Sequence, residues 1–389
     1  MEKKKLPPGI LAIQFLVLMS YSSMAVLNLL PLYFEHIGGK PGEIGFYVGL
    51  FSFAAFFSRP LGGWLLSRQK PKKILVAGLI VMLGSTISYL FIKRLDWVLG
   101  LIRLFHGLGF SLFILAALFM AVMKTQERER AYAIGVISVG FMLPLLVVPL
   151  LGEEVIKKFG YFFFFLLAIA LAVIPLFYAL VRRISLSQPS EREGGKGSSF
   201  FHLLRQKRII LIVALTFIFE LGLSASLSFV PLLAHSGSSM RAGLYYTFLG
   251  LTAGFLRLYA GKKLRFWGSS KLLFPAFIFL FLGGSLTSLS FDNLILSLSG
   301  FVWGFGVGIL YPHLSALSVE GVNSENRAKA LSLFASSVDL GFALGPLTFG
   351  WLTQLLGLRR AFFLFALFIL FSSLPLVSIL QVSSKAKKH

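Results

Sequence analysis

The chain has 389 residues, 57% of them hydrophobic and only 13% charged, with a mean hydropathy of +0.84. A soluble domain carries about a quarter charged residues, so this composition excludes a water-soluble fold. The absence of cysteine excludes disulfides, thiolate chemistry and cysteine-bound metals.

Apolar runs long enough to cross a bilayer, about 20 residues each, recur from one end to the other. The N-terminal MEKKKLPPG leads into such a run without a small-residue cleavage site, so the first segment is expected to stay as a helix. Spans are predicted near residues 9–34, 43–67, 73–92, 97–123, 131–152, 161–181, 209–233, 241–261, 272–290, 294–319, 328–355 and 360–381. The expected fold is therefore an all-α membrane protein of twelve transmembrane helices.

The formal charge of +22 takes its meaning from where the cations fall. With the N-terminus inside, Lys40, Lys93, Arg94, Lys157, Lys158, Arg241, Arg359 and Arg360 lie outside, and Arg59, Arg103 and Arg257 lie within spans. The remaining twenty-six of the 37 Lys and Arg residues lie in the tails and inner connections. This asymmetry places both termini in the cytoplasm of a cell with this protein in its inner membrane. It accounts for the charge without nucleic acid as a partner.

One connection is long and polar. Residues 184–207, ISLSQPSEREGGKGSSFFHLLRQK, read as a linker between an N-terminal bundle at 1–183 and a C-terminal bundle at 208–389. The halves repeat. Arg130 and Arg327, Pro149 and Pro346, Gly160 and Gly357, Gly107 and Gly304, and Gly109 and Gly306 are each 197 positions apart. Arg59 matches Arg257 and Gly63 matches Gly261 at 198, and Pro31 matches Pro231 at 200. A slowly drifting offset is what small loop deletions produce, and it implies two pseudo-symmetric six-helix bundles.

Between the second and third spans stands Arg59-Pro-Leu-Gly-Gly63-Trp-Leu-Leu-Ser67-Arg68-Gln-Lys70-Pro-Lys72-Lys73. This stretch resembles the signature loop of the major facilitator superfamily, with Ser67 where the family has an acid. The resemblance covers essentially the whole chain and implies transport by alternating access. It marks Arg59, Gly63 and Arg68, with their repeat counterparts Arg257 and Gly261, as a conformational switch; an ordinary positive-inside loop is the other reading. Gly63 is expected to let its helix approach a neighbour closely.

The fourth span carries Arg103-Leu-Phe-His106-Gly107-Leu-Gly109, similar to the family's Arg-x-x-Gln-Gly-x-Gly with His in place of Gln. In proton-driven relatives this Arg is linked to proton transfer; the alternative is a side chain that reaches the outer interface. Gly341-Phe-Ala-Leu-Gly345-Pro346 in the eleventh span and Gly140-Phe-Met-Leu-Pro144 in the fifth look like the Gly-Pro segment of the family's exporters. A packing seam without directional meaning is the other reading.

Two acids lie near mid-membrane, Glu220 in the seventh span and Asp339 in the eleventh. Each sits on a polar stripe: Thr216, Glu220, Ser224 and Ser228 on one helix, Ser332, Ser336 and Asp339 on the other. Glu220, Asp339, Arg103 and His106 are the candidates for proton coupling, and pairing with a neighbouring Arg is the structural alternative. Tyr21, Asn28, Ser224, Ser336, Tyr311 and His313 are the candidates for lining a substrate cavity. The first span holds no acid, so no proton site is expected there.

No nucleotide-binding loop, metal cluster or catalytic constellation stands out in the sequence, so neither enzymatic activity nor a cofactor is expected. The expected partners are a small-molecule substrate, protons and the lipid bilayer, with a monomer as the working unit. Export of a small amphipathic molecule leads. Uptake by proton symport, and an uncoupled channel-like or lipid-moving protein, stay open.

Overall fold

The structure is a computed structural model and describes residues 8–123, 125, 130–182, 203, 205–236, 240–257 and 269–386. Hydrocarbon supplies no partner for backbone N–H and C=O groups, so an apolar chain satisfies them within helices. The described residues are mostly helical, joined by short turns and without a strand. The helices are α1 Pro8–Val26, α2 Leu30–His36, α3 Pro41–Arg68, α4 Pro71–Ser88, α5 Trp97–Met123, α6 Arg130–Val181, α7 Lys207–His235, α8 Ala242–Phe255, α9 Leu273–Ser288, α10 Asn293–Val319, α11 Ser324–Leu356 and α12 Leu358–Ala386.

These helices do not map one to one onto the expected spans. Helices α1 and α2 share one apolar stretch, tightened into a 3₁₀ turn at Leu27–Leu29 just before Pro31, whose missing N–H donor interrupts the ladder. Conversely, the apolar window Val139–Val181 of α6 spans 43 residues, about twice what one crossing needs. Gly160, at φ 81°, breaks α6 into two segments. Among the described residues, nine helices are long and apolar enough to cross a membrane, and Leu273–Ser288 is a shorter apolar helix.

The break in α6 falls later than expected. Residues 153–159, read as connection, remain helical up to Gly160, and Lys158 pairs with Glu154 one turn earlier at 3.5 Å. Gly357 repeats the device between α11 and α12, again at φ 81°, and its N–H donates to Thr353 O. A left-handed residue ends a helix with least strain when it has no Cβ.

The described residues form two compact units, one within residues 1–39 and 50–192, the other within 40–49 and 193–389. In the first, α5 seats on its neighbours through glycine. A Cβ at Gly107 would overlap the Phe51 carbonyl of α3, and one at Gly109 would lie 2.9 Å from Gly78 O and Met82 N of α4. In the second, a Cβ at Gly304 would lie 2.8 Å from Leu249 O of α8, and one at Gly306 3.1 Å from Ala276 O of α9, with Leu280 beside it. Phe51, Gly78 and Met82 precede Leu249, Ala276 and Leu280 by 198 positions each. The repeat is thus one of packing as well as of letters.

Also within the second unit, residues 41–49 of α3 lie on α11, where a Cβ at Gly45 would overlap Pro346 O and one at Gly49 would overlap Ala343 O. Leu203, near the end of the expected linker, is buried in a small cluster with Ile209, Val322 and Ala330. Many of the large hydrophobic side chains are exposed, Phe57, Phe91, Phe371 and Leu294 among them, as suits a surface solvated by lipid.

Candidate functional site

In the second unit the chemistry gathers around α7. Glu220 is 1% exposed, and its Oε1 has no hydrogen-bond partner among the described residues. Two charged side chains lie within electrostatic reach of it, Arg257 just beyond α8 and Asp339 of α11. Glycine brings α11 close enough: a Cβ at Gly341 would lie 2.7 Å from Glu220 Cβ, and one at Gly345 would overlap Ser224 Oγ and Leu221 O. Ser224 Oγ donates across this seam to Gly341 O at 3.1 Å. The Gly-Pro segment of α11 is therefore a packing seam that sets Asp339 beside α7.

Arg257 enters this cluster in a way the repeat did not suggest. Its guanidinium carbon lies 5.1 Å from the centre of the Tyr311 ring of α10, and Tyr311 meets Phe334 edge to face at 5.5 Å. The signal for its place was its depth: it is one of the three arginines that fell inside spans.

The polar stripe on α7 is less open than its spacing suggests. Thr216 Oγ1 donates to Ile212 O at 2.7 Å and Ser228 Oγ to Ser224 O at 2.7 Å, each to the carbonyl one turn back. A hydroxyl in apolar surroundings satisfies itself this way when no other acceptor is in reach. His313 behaves likewise, its Nδ1–H donating to Ile309 O at 2.7 Å. Ser336 and Asp339 are half-buried, and Ser332 is exposed.

In the first unit, Arg103 is buried rather than stretched to an interface. Its Nη1 donates to the Tyr89 hydroxyl at 3.2 Å, and its guanidinium carbon lies 5.0 Å from the Phe51 ring centre. The Tyr89 hydroxyl also lies 3.1 Å from His106 Nδ1. Tyr89 itself went unread in the sequence. Its signal was position: Tyr89 and Arg103 are equidistant from Asp96 in the turn between α4 and α5, so two antiparallel helices bring them level. Tyr21 packs edge to face on Phe141 at 5.1 Å, and Asn28 is half-buried in the 3₁₀ turn.

The expected switch loop shows one correction. Gly63 is exposed and a Cβ there meets nothing within 4 Å, whereas one at Gly62 would lie 2.6 Å from Leu115 of α5. Adjacent helical residues point about 100° apart, and the close approach belongs to the earlier glycine. Arg68 lies over Trp64 at 4.6 Å and Arg59 is half-buried. Lys72 Nζ donates to Arg182 O at 3.0 Å. Gly261 and most of 184–207 lie outside the described residues.

Apolar helices in two repeated halves, with ionisable groups held in their interiors, define a multi-pass membrane transport protein. Matching residues 10–324 and 265–389 to the model of the Major Facilitator Superfamily places the chain in that family. Over 357 residues it is 26% identical to a multi-drug resistance efflux pump PmrA homolog of Lactococcus lactis subsp. lactis (strain IL1403), covering 89% of this chain and 88% of the relative. It is 22% identical to the staphylopine export protein of Staphylococcus aureus (strain Mu50 / ATCC 700699), covering 90% of each. The crystal structure of the nucleoside transporter NupG matches with a TM-score of 0.74 at 16% identity, over 96% of this chain and 99% of that one, a likeness of fold.

Proposed function

We propose that this chain is a proton-coupled exporter of the cell membrane, a secondary-active carrier for a small amphipathic molecule, working as a monomer with both termini in the cytoplasm. Residues 1–183 and 208–389 supply the two halves, joined by 184–207. The observation that carries the reading is Glu220, a fully buried carboxyl with one oxygen unpartnered among the described residues and both a cation, Arg257, and an acid, Asp339, in electrostatic reach. Holding an ionised acid at mid-bilayer costs roughly 2.5–3.5 kcal/mol, so such a group changes protonation as its surroundings change. Export is favoured by the relatives, which are named as an efflux pump and an export protein.

The test is gradient-driven transport of ethidium, a small amphipathic cation, by purified protein in proteoliposomes. Glu220→Gln is permanently neutral and should reduce gradient-driven flux at least about tenfold while leaving ethidium binding within about twofold of the parent. Full gradient-driven flux in both Glu220→Gln and Asp339→Asn would overturn coupling through these acids. Absence of any driven flux in the parent protein would overturn export of amphipathic cations.

A further inference from the structure

The Tyr89 hydroxyl stands between two groups that each restrict its one hydrogen, and counting donors decides how. A guanidinium only donates, so at 3.2 Å Arg103 Nη1 makes the phenol oxygen an acceptor. The phenol hydrogen then has one acceptor beside it, His106 Nδ1 at 3.1 Å. For Nδ1 to accept, it must be unprotonated, and the neutral ring carries its hydrogen on Nε2. That leaves one unpartnered polar group in the cluster among the described residues, Nε2–H. The opposite order, with Nδ1–H donating to the phenol, would strand two: the phenol O–H and the Nε2 lone pair. Tyr89 and His106 are both fully buried, so each stranded group costs free energy with no water to offset it.

We infer that Tyr89 is a positioning residue that binds Arg103 and His106 into one hydrogen-bonded unit and holds His106 as the neutral Nε2–H tautomer. A second proton can enter His106 only at Nδ1, where the phenol hydrogen already sits. Protonation therefore requires the phenol to turn away, and a phenol that accepts from both His106 and Arg103 joins two cations through one oxygen. Arg103 engaged on Tyr89 and His106 protonated are states that oppose each other. The charged and titratable groups facing His106 among the described residues are Arg103 from α5 itself and Tyr89 from the end of α4. Phe51 from α3 meets the imidazole at 5.3 Å, and Phe165 from α6 stacks behind Tyr89 at 6.0 Å; neither carries charge. The weight of this unit in transport rests on the proton-coupled reading; its hydrogen-bond order does not.

The experiment is nitrogen NMR of the full chain labelled with ¹⁵N-histidine in lipid bilayers, with His106→Gln identifying the signal by its loss. At neutral pH the parent should show a bare, hydrogen-bonded Nδ1 and a protonated Nε2. Tyr89→Phe should release this order, giving a mixture of tautomers and moving the pH at which His106 becomes doubly protonated by roughly half a unit or more. A parent spectrum with hydrogen on Nδ1, or a doubly protonated ring at neutral pH, overturns the inference without any variant being needed. So does a Tyr89→Phe spectrum and titration identical to the parent's. Full gradient-driven flux in Glu220→Gln and Asp339→Asn would overturn coupling through those acids and leave this result untouched, so the two readings fail separately.

Discussion

Replacing Gly107 by Ala tests whether α5 is seated on α3 through its backbone. A Cβ at Gly107 would overlap the Phe51 carbonyl oxygen and lie 2.8 Å from its carbon and 3.1 Å from Ala54 Cβ. The obstruction is main chain, with no flexible end to swing aside, so the helices must separate. Overpacking of this kind costs about 1–3 kcal/mol, against a gain of roughly 1 kcal/mol for Ala over Gly inside a helix. The net loss of up to about 2 kcal/mol corresponds, for a chain of 389 residues, to a fall of up to roughly 2–3 °C in Tm. Gly63→Ala is the matched control: a Cβ there meets nothing within 4 Å, so only the gain applies and the Tm should hold or rise by about 1 °C. Thermal unfolding of both variants, followed by tryptophan fluorescence in one detergent, decides. If Gly63→Ala falls as far as Gly107→Ala, the assignment of the close approach is wrong.

Two further outcomes are expected. Asp96 caps α5, its Oδ1 accepting from Val98 N at 3.0 Å and Leu99 N at 3.3 Å, while Arg94 Nε donates to Oδ2 at 2.9 Å. The Arg94 hydrogen bond first, and the two backbone donors with it, hold this half-buried carboxyl below its ordinary value of 3.8. A carboxylate lowered on folding adds stability above its unfolded value that is lost as pH falls through the folded one. The acid-side decline in Tm below about pH 4 should therefore be shallower in Asp96→Asn, and an unchanged pH profile refutes the capping role. For topology, single cysteines at the exposed positions Lys40 and Arg205 of this cysteine-free chain should label with an impermeant thiol reagent from opposite sides of sealed membranes, Lys40→Cys from outside. Labelling of both from one side refutes the orientation.

Much of this was legible in the letters. Ionisable residues are so scarce in the spans that Glu220, Asp339, Arg103 and Arg257 stand out wherever they point. Paired glycines such as Gly107 with Gly304 marked seats that the structure uses alike in each unit, against Phe51 and Leu249. Helix ends were less legible, because residues 153–159 are polar enough to leave the membrane and yet good enough helix formers to continue α6 to Gly160. The cavity candidates Ser224 and His313 were legible as polar groups but not as satisfied ones, since their partners Gly341 O and Ile309 O are backbone atoms.

By itself the sequence determined the membrane as solvent, the repeat and the short roll of groups able to carry charge, because hydrophobicity and spacing are properties read along a line. Only the tertiary structure decided which groups meet: Arg257 rather than another cation near Glu220, Tyr89 between Arg103 and His106, and Gly62 rather than Gly63 against Leu115. The physical reason is rotation. Each residue turns about 100° around a helix, and a helix that is apolar on every side shows no stripe to say which face turns inward, so one position along the chain separates contact from open space.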